Sequence, residues 1–197
     1  MDNALIIFVK NIINGAVKTR LAATLGNDAA INIYKQLLQH TYSVAQNIDS
    51  DKIVFYADFI EEDIWNKEAF RKEIQQGTDL GKRMENAFKN AFEKGHTKVI
   101  IIGTDCPGIN KNILENAFEK LNNFEMVIGP ATDGGYYLLG MKKLYSFLFQ
   151  NMKWSTEAVL NDTINACNEH QLSYFFLPQL TDIDEEKDLI NFQSYLI

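Results

Sequence analysis

The sequence contains few of the residues that build disulfide scaffolds and metal clusters. It has two cysteines, Cys106 and Cys167, and three histidines that are scattered along the chain. Two cysteines are too few for a disulfide framework or for a zinc cluster. The sequence therefore predicts a reduced protein that folds without cross-links.

Long hydrophobic runs and an excess of positive charge are also lacking. No apolar run approaches the roughly 18 residues that a membrane span needs, and the N-terminus lacks the features of a secretory signal. The chain has 19 basic and 26 acidic residues, a net charge of -7, which disfavours binding to nucleic acid or to anionic lipid. We therefore expect a soluble, cytoplasmic protein with no nucleic-acid partner and no membrane span. A local cationic pocket for a phosphate is still compatible with this composition, and the oligomeric state is open.

The residues that are abundant in the sequence suit a globular domain. The chain has 197 residues, of which 46% are hydrophobic and 12% aromatic, so we predict one domain over residues 1–197 with a substantial core. Apolar patterns predict strands at 3–9, 52–57, 98–103, 125–131, 136–141 and 172–177. Helical patterns lie at 27–46, 61–73, 80–94, 111–121 and 155–169, with a last helix after the segment DIDEE. Predicted helix caps are Asn27, Asp79, and Ser155 or Thr156.

Strands that alternate with helices predict a mostly parallel sheet covered on both faces. In such sheets, ligands bind outside the carboxyl ends of the strands. The loops that follow the predicted strands are therefore where we expect the chemistry.

The first of these loops, KNIINGAVKTRL, is basic. It lacks both the P-loop pattern and the dinucleotide-binding glycine pattern. It does carry Lys10, Gly15, Lys18 and Arg20. Glycine allows the backbone to approach a ligand, and lysine and arginine bind phosphate oxygens. The loop therefore predicts a phosphate site, with an ordinary solvated loop as the alternative.

The segment IIIGTDCPGI places an aspartate directly after a buried strand. Asp105 is predicted to project into the ligand crevice, where Mg²⁺ is held by one or two carboxylates together with substrate phosphates. The alternative is that Asp105 only caps the turn made by Pro107 and Gly108. Cys106 is not predicted to be a nucleophile, because no histidine or helix terminus is evident beside it.

Two more acidic loops follow later strands. In GPATDGGYYLLG, Asp133, Gly134 and Gly135 form a turn signature whose simplest interpretation is a β-hairpin. Asp133 could also contact a sugar hydroxyl, act as a base or bind metal. In LTDIDEEKDL, Asp182 and Asp184 suit the N-terminus of a helix, and they could alternatively supply a second metal ligand.

Two weaker signals lie on predicted helix starts. Lys82 and Arg83, in QGTDLGKRM, could face phosphate or solvent. Trp154, in KWST, is interpreted as a packing residue rather than as a platform for a base.

Taken together, these segments resemble the DUF2064 family, proteins similar to nucleotide-diphospho-sugar transferases of the GT-A fold. The runs that carry the resemblance are VKTRL, GTDCP and GPATDGGYYLLG, with QGTDLGKRM, KWST and TDIDEEKDL between and after them. One branch of the family is associated with arsenosugar biosynthesis. The resemblance implies a three-layer α/β/α domain whose mostly parallel sheet contains an antiparallel strand.

One departure from the family lies in the first loop. Family members usually have prolines roughly where Asn11 or Ile12 and Asn14 stand here. Without prolines, the loop loses preset φ angles and is expected to be more mobile when empty.

The resemblance also implies site residues. Phosphates of a nucleotide would be bound by Lys18 and Arg20, and Asp105 and Asp184 would hold Mg²⁺ or Mn²⁺. The hairpin residues Asp133, Gly134, Gly135 and Tyr136 would lie on the sugar or acceptor side.

The leading hypothesis is thus a metal-dependent enzyme that moves a sugar from a nucleotide-diphosphate-sugar donor to a small-molecule acceptor, with Asp133 as the candidate catalytic base. The alternative is a nucleotidylyltransferase that joins a nucleoside triphosphate to a phosphorylated small molecule. A non-catalytic nucleotide-binding relative is the third possibility. The joint presence of Lys18, Arg20, Asp105 and Asp184 speaks against this last one.

Overall fold

The computed structural model describes the backbone of residues 2–194 and the side chains of residues 2–190. Met1 and residues 195–197 of the predicted 1–197 domain lie outside the described residues. The strands are β1 Asn3–Val9, β2 Asp51–Tyr56, β3 Arg71–Ile74, β4 Lys98–Ile102, β5 Met126–Pro130, β6 Tyr136–Met141 and β7 Tyr174–Phe176. The α-helices are α1 Thr19–Leu25, α2 Asn27–Ala45, α3 Leu80–Glu93, α4 Lys111–Lys120 and α5 Val159–Glu169, and 3₁₀ helices lie at Ser146–Phe149 and Glu186–Ser194.

The strands form one sheet in the order β3-β2-β1-β4-β6-β5-β7. β6 runs antiparallel to its neighbours β4 and β5, and the other pairs are parallel. β5 and β6 are joined by the hairpin that the Asp133-Gly134-Gly135 signature predicted. Both the mostly parallel sheet and its one antiparallel strand are confirmed.

Alternating side chains of the central strand enter two separate cores. Leu5 and Ile7 pack on one face of the sheet, in a cluster that also contains Tyr34 of α2 and Leu114 of α4. Ala4 and Ile6 face the opposite side, where Phe88 of α3 belongs to the same cluster. Because successive strand residues point to opposite faces, a continuous apolar strand needs helices on both sides. This accounts for the three layers.

Helix caps were predicted with mixed success. Asp79 caps α3, and its side chain accepts a hydrogen bond from the Lys82 amide, as expected. Asn27 was predicted wrongly as a cap, because α2 begins at this residue and the preceding Gly26 occupies the capping position. The Ser155 or Thr156 cap was also wrong. The Thr156 hydroxyl donates to the Lys153 carbonyl instead, and α5 begins only at Val159.

The helix predicted over 61–73 is wrong, since this segment contains turns followed by edge strand β3. Asp63 accepts hydrogen bonds from the Tyr56 hydroxyl and the Trp65 amide. The rings of Trp65 and Phe70 pack edge to face with centroids 5.1 Å apart. These local side-chain bonds and the buried aromatic pair outweigh the segment's helix propensity.

None of the helices within residues 2–194 is long and apolar enough to cross a membrane.

Candidate functional site

A cleft lies where the carboxyl ends of the parallel strands meet, as the fold class predicts. It consists of two adjoining cavities, a first of about 500 Å³ and a second of about 540 Å³. They share lining residues from the first loop, the start of α3, the loop after β4, the start of β6 and the loop after β7. The shared residues are Lys10, Ala16, Leu80, Met84, Asp105, Tyr136 and Asp182.

The Lys18 ammonium forms the charge centre of this cleft. Its Nζ lies 2.6 Å from Asp105 Oδ1 and 3.2 Å from Asp184 Oδ1, and it donates to the Ile183 carbonyl at 2.6 Å. An ammonium group has three protons to donate, and these three oxygens can accept all of them. Burial lowers the pKa of Lys18, but Asp105 and Asp184 outweigh burial and raise it overall. The lysine is therefore buried and charged, and its ion pairs join the loop after β4 to the loop after β7.

Backbone geometry and packing place Lys18 at this position. Lys18 precedes helix α1, which was not predicted, and it has left-handed backbone angles of φ 49° and ψ 47°. Such angles are uncommon for a residue with a side chain. Opposite it, Ile183 is buried against Leu21 and Leu37, and its amide donates to the Asp105 carbonyl at 2.9 Å. The apolar contact thus fixes the carbonyl that the ammonium binds.

A third carboxylate, Asp182, lies close to the same centre. Its pKa is raised to about 7, mainly by burial and further by the neighbouring Asp105, Asp133 and Asp184, while Lys18 opposes the rise. Asp182 also accepts a hydrogen bond from the Cys106 thiol, whose own pKa is raised by burial and by this carboxylate. Cys106 is therefore a buried thiol and not an activated nucleophile, in agreement with the sequence-based expectation.

The carboxylates fit a hard divalent ion only in part. Asp105 and Asp184 converge on one cation, the Lys18 ammonium, and carboxylate oxygens are the ligands that Mg²⁺ and Mn²⁺ prefer. Within the described part of the chain, however, no three acidic, histidine or cysteine side chains are arranged to hold a metal. A metal here would need oxygens from the ligand's phosphates as well.

The first cavity has mainly apolar walls. Its apolar lining includes Phe8, Val9, Ile13, Leu80, Met84, Ile102 and Tyr136. Beneath it, the Tyr34 hydroxyl accepts a hydrogen bond from the Lys10 amide at 2.9 Å. The side chain of Gln75 donates to the carbonyls of Val9 and Phe55. These part-buried contacts link the ends of β1 and β2 to α2 and to the segment after β3.

The second cavity is polar and acidic. Asp133 and Glu157 line it together with the cluster around Lys18, and Trp154 lines it as well. Asp133 Oδ1 accepts a hydrogen bond from the Gly135 amide at 2.9 Å. Arg20, an exposed side chain, lies 3.8 Å from Asp184 Oδ2. The two cavities thus differ in character while meeting at the same charge centre.

Most of the predicted site residues come together in this cleft. The cleft is lined by Lys10, Lys18, Arg20, Arg83, Asp105, Asp133, Gly135, Tyr136 and Asp184. Gly15 and Lys82 line neither cavity, and the Lys82 ammonium binds Glu85 at 2.7 Å. Gly134 instead packs against the backbone of Glu157. The structure thus shows which of these residues line the cleft, while their roles in binding and catalysis are still predictions.

The segment after β6 supplies wall residues that were not predicted as part of a site. Trp154, Ser155, Thr156 and Glu157 all line the second cavity. The KWST run that carries them was visible in the sequence, but it was interpreted as packing and a helix cap. Its position across the cleft depends on contacts with α3 and the β5–β6 hairpin, which no local pattern encodes.

Comparison with known proteins identifies the family of this chain. The profile of the family described as an uncharacterized protein conserved in bacteria, DUF2064, matches residues 38–156. The chain belongs to the DUF2064 family. Across 97% of its length it also matches a candidate nucleotide-diphospho-sugar transferase from Desulfovibrio desulfuricans G20, at 30% identity with a TM-score of 0.89, covering 86% of that chain. No curated protein matches this DUF2064 chain.

More distant structures share the fold of this DUF2064 protein. The inositol-1-phosphate CTP transferase of T. maritima aligns with a TM-score of 0.60 at 13% identity, covering 99% of this chain and 94% of the other. A manganese complex of Rv0371C from Mycobacterium tuberculosis H37Rv aligns with a TM-score of 0.58 at 10% identity, covering 100% and 98%. At these identities the likeness shows the fold alone, which is the nucleotide-diphospho-sugar transferase fold.

Proposed function

We propose that this DUF2064 protein transfers a sugar from a nucleotide-diphosphate-sugar donor to a hydroxyl of a small-molecule acceptor, with Mg²⁺ or Mn²⁺. The observation that carries the proposal is the division of the cleft. An apolar cavity suits the nucleobase, and a polar cavity suits the sugar and the acceptor. Asp105 lines both cavities, and its partner Lys18 lines the polar cavity together with Asp184. The likeness to the Desulfovibrio protein, at 30% identity, supports the same donor class.

The charged residues of the cleft have proposed tasks. Asp105 and Asp184 would hold the metal together with the donor diphosphate, and the ion would supply positive charge to the leaving phosphates. Lys10 and Arg20 are exposed cations on the same cleft and would bind phosphate oxygens. Lys18 either keeps the two carboxylates in place or moves to the diphosphate when the metal binds between them.

The transfer itself needs a base. The acceptor hydroxyl oxygen forms a bond to the anomeric carbon, and the bond from that carbon to the diphosphate oxygen breaks with its electron pair. The hydroxyl proton passes to a carboxylate. Asp133 is the proposed acceptor of this proton, because it lines the second cavity and only one of its oxygens binds the Gly135 amide.

Nucleotidyl transfer is the second candidate, and the shared fold favours it. The inositol-1-phosphate CTP transferase has the same fold. In this alternative, an acceptor phosphate would attack the α-phosphorus of a nucleoside triphosphate and release pyrophosphate. The same metal and cations would serve either reaction, so the acceptor distinguishes the two.

Thermal-shift titration with Mn²⁺ tests the proposed function. We expect stabilisation by a nucleoside diphosphate and its sugar derivative, and loss of the metal-dependent part in Asp105→Asn. The matched control is Asp58→Asn, which alters an aspartate that lines the first cavity but not the second. Stabilisation by triphosphates alone would support nucleotidyl transfer. A lack of response to every nucleotide would support a non-catalytic protein.

A further inference from the structure

Part of the wall of the second cavity is aromatic. A Cβ atom added to Gly81 would lie 2.3 Å from Trp154 Cε2, so the indole packs directly on the backbone at the start of α3. The ring of Phe149 stacks beside it with centroids 6.5 Å apart. Trp154 is partly exposed and lines the cavity. The indole therefore packs against α3 and Phe149, and its exposed part is accessible to a ligand in the cavity.

The hairpin fixes the opposite end of the same wall. A Cβ atom on Gly134 would lie 2.3 Å from the Glu157 carbonyl oxygen, and the Leu160 amide donates to the Gly134 carbonyl at 2.9 Å. This close approach fixes the backbone of Glu157, which lines the second cavity, against the hairpin. Because the adjacent Asp133 has one oxygen bound to Gly135, its other oxygen is available to accept from a ligand hydroxyl.

The charges of the second cavity are predominantly negative. Five carboxylates line it: Asp105, Asp133, Glu157, Asp182 and Asp184. Three cations line it: Lys10, Lys18 and Arg20. Two of these cations already contact carboxylates of the cluster. Asp133 and Glu157 are exposed residues that line the cavity, and among the described side chains no ion pair engages either of them.

We infer that the acceptor is a hydroxylated small molecule without a phosphate, bound in the second cavity with one apolar face on Trp154. This inference rests on the proposed function and specifies its acceptor. Carboxylates accept strong hydrogen bonds from hydroxyl groups, and an indole offers apolar contact to the C–H face of a ring. A phosphorylated acceptor would bring like charge against Asp133 and Glu157, which opposes binding.

Matched pairs of probes that differ by one phosphate test the inference. The protein is first saturated with Mn²⁺ and with the nucleoside diphosphate that stabilises it most. Glucose is then compared with glucose 6-phosphate, ribose with ribose 5-phosphate, and glycerol with glycerol 3-phosphate, by calorimetry and by tryptophan fluorescence. The chain has two tryptophans, and Trp65 is buried in the core, so Trp154→Phe identifies the part of the signal that comes from the cavity.

The expected result is that at least one neutral probe binds, and that its phosphorylated counterpart binds at least tenfold more weakly. Asp133→Asn combined with Glu157→Gln should reduce this discrimination, and the double variant should still bind the nucleoside diphosphate. Trp154→Ala should weaken the neutral probe, and Trp154→Phe should retain most of its binding.

Two results would overturn the inference. One is that a phosphorylated probe binds as well as its neutral counterpart or better, and the other is that no neutral probe binds to the nucleotide-saturated protein. Both leave the nucleotide site intact. Failure to bind any nucleoside diphosphate or sugar nucleotide is a different result. It would contradict the proposed function, and with it the inference that rests on that function.

Discussion

Lys18 Nζ lies 2.6 Å from Asp105 Oδ1, although Lys18 belongs to the loop predicted to bind phosphate. Asp184 and the Ile183 carbonyl complete the coordination of the same ammonium. A positive charge thus occupies the position between the two carboxylates that are proposed to hold a metal. A metal bound there would compete with Lys18 for these oxygens.

Lys18→Met should weaken the fold and strengthen metal binding. The methionine keeps much of the side-chain length but leaves Asp105 and Asp184 without their cation. We expect the free energy of unfolding to fall by about 1–3 kcal/mol, because bonds to charged groups are lost while the part-exposed carboxylates regain some water. Affinity for Mn²⁺ in the absence of nucleotide should rise about tenfold, since the competing ammonium is gone.

Urea denaturation and calorimetry with Mn²⁺ measure these two effects. Lys10→Met is the matched control, because Lys10 is exposed in the same cleft. A Lys18→Met protein that binds Mn²⁺ no more tightly than the wild type would argue against a metal position between the two carboxylates.

The features that could be predicted from the sequence depend on neighbouring residues. The continuous apolar run of β1 and the turn signature between β5 and β6 specify strands through side-chain alternation and glycine chemistry. Asp79 lies three residues before the amide that it caps. Such short-range signals are sufficient to establish the order of elements, the mostly parallel sheet and the edge at which the cleft forms.

The pairing of Lys18 could not be predicted, because it joins residues that are distant in sequence. Lys18 and Asp184 are 166 positions apart, and they meet only because Ile183 packs against α1 and α2. The same holds for β3, whose polar sequence forms a strand through pairing with β2. The predicted residues are therefore mostly in the cleft, while their contacts there required the tertiary structure.

Gly134→Ala should be strongly destabilising. Gly134 has φ 89°, and an added Cβ would lie 2.3 Å from the Glu157 carbonyl oxygen. Left-handed strain and overpacking together should lower the free energy of unfolding by about 2–4 kcal/mol. Gly15→Ala is a matched control, because Gly15 has φ 77° with no atom within 4 Å of the added Cβ. Equal losses in urea denaturation would show that the contact with Glu157 is unimportant.

Asn11→Ala should loosen the first loop. Asn11 is 3% exposed, and its amide group donates to the Phe59 carbonyl at 2.8 Å and accepts from the Asp58 amide at 3.0 Å. Family members usually have proline near this position, so these bonds anchor the loop start without it. We expect a loss of about 1–3 kcal/mol.

Hydrogen exchange checks this expectation. The amides of residues 58 and 59 should exchange faster in Asn11→Ala than in the wild type, because they lose their acceptor. The control is Asn14→Ala, since Asn14 is exposed on the same loop. Unchanged exchange at these two amides in Asn11→Ala would contradict the anchoring role.

Asp182→Asn should make the stability of the metal-free protein less dependent on pH. The pKa of Asp182 rises from 3.8 to about 7 on folding, through burial and then through Asp105 and Asp133. A raised pKa means that the folded state binds the proton of Asp182 more tightly than the unfolded state does. Protonated Asp182 therefore stabilises the folded state, and this stabilisation is lost as the pH rises from about 4 through 7. We expect the wild type to lose on the order of 1–2 kcal/mol more than Asp182→Asn between pH 5 and pH 8.

Urea denaturation in the presence of a chelator at both pH values measures this difference. Asparagine cannot ionise, so the variant keeps the shape of the side chain while removing the charge that Asp105, Asp133 and Asp184 repel. At pH 8 the variant should be the more stable of the two proteins, whereas at pH 5 their stabilities should be similar. Parallel pH profiles for the two proteins would show that folding does not raise the pKa of Asp182. The negative potential of the second cavity would then be weaker than its five carboxylates indicate.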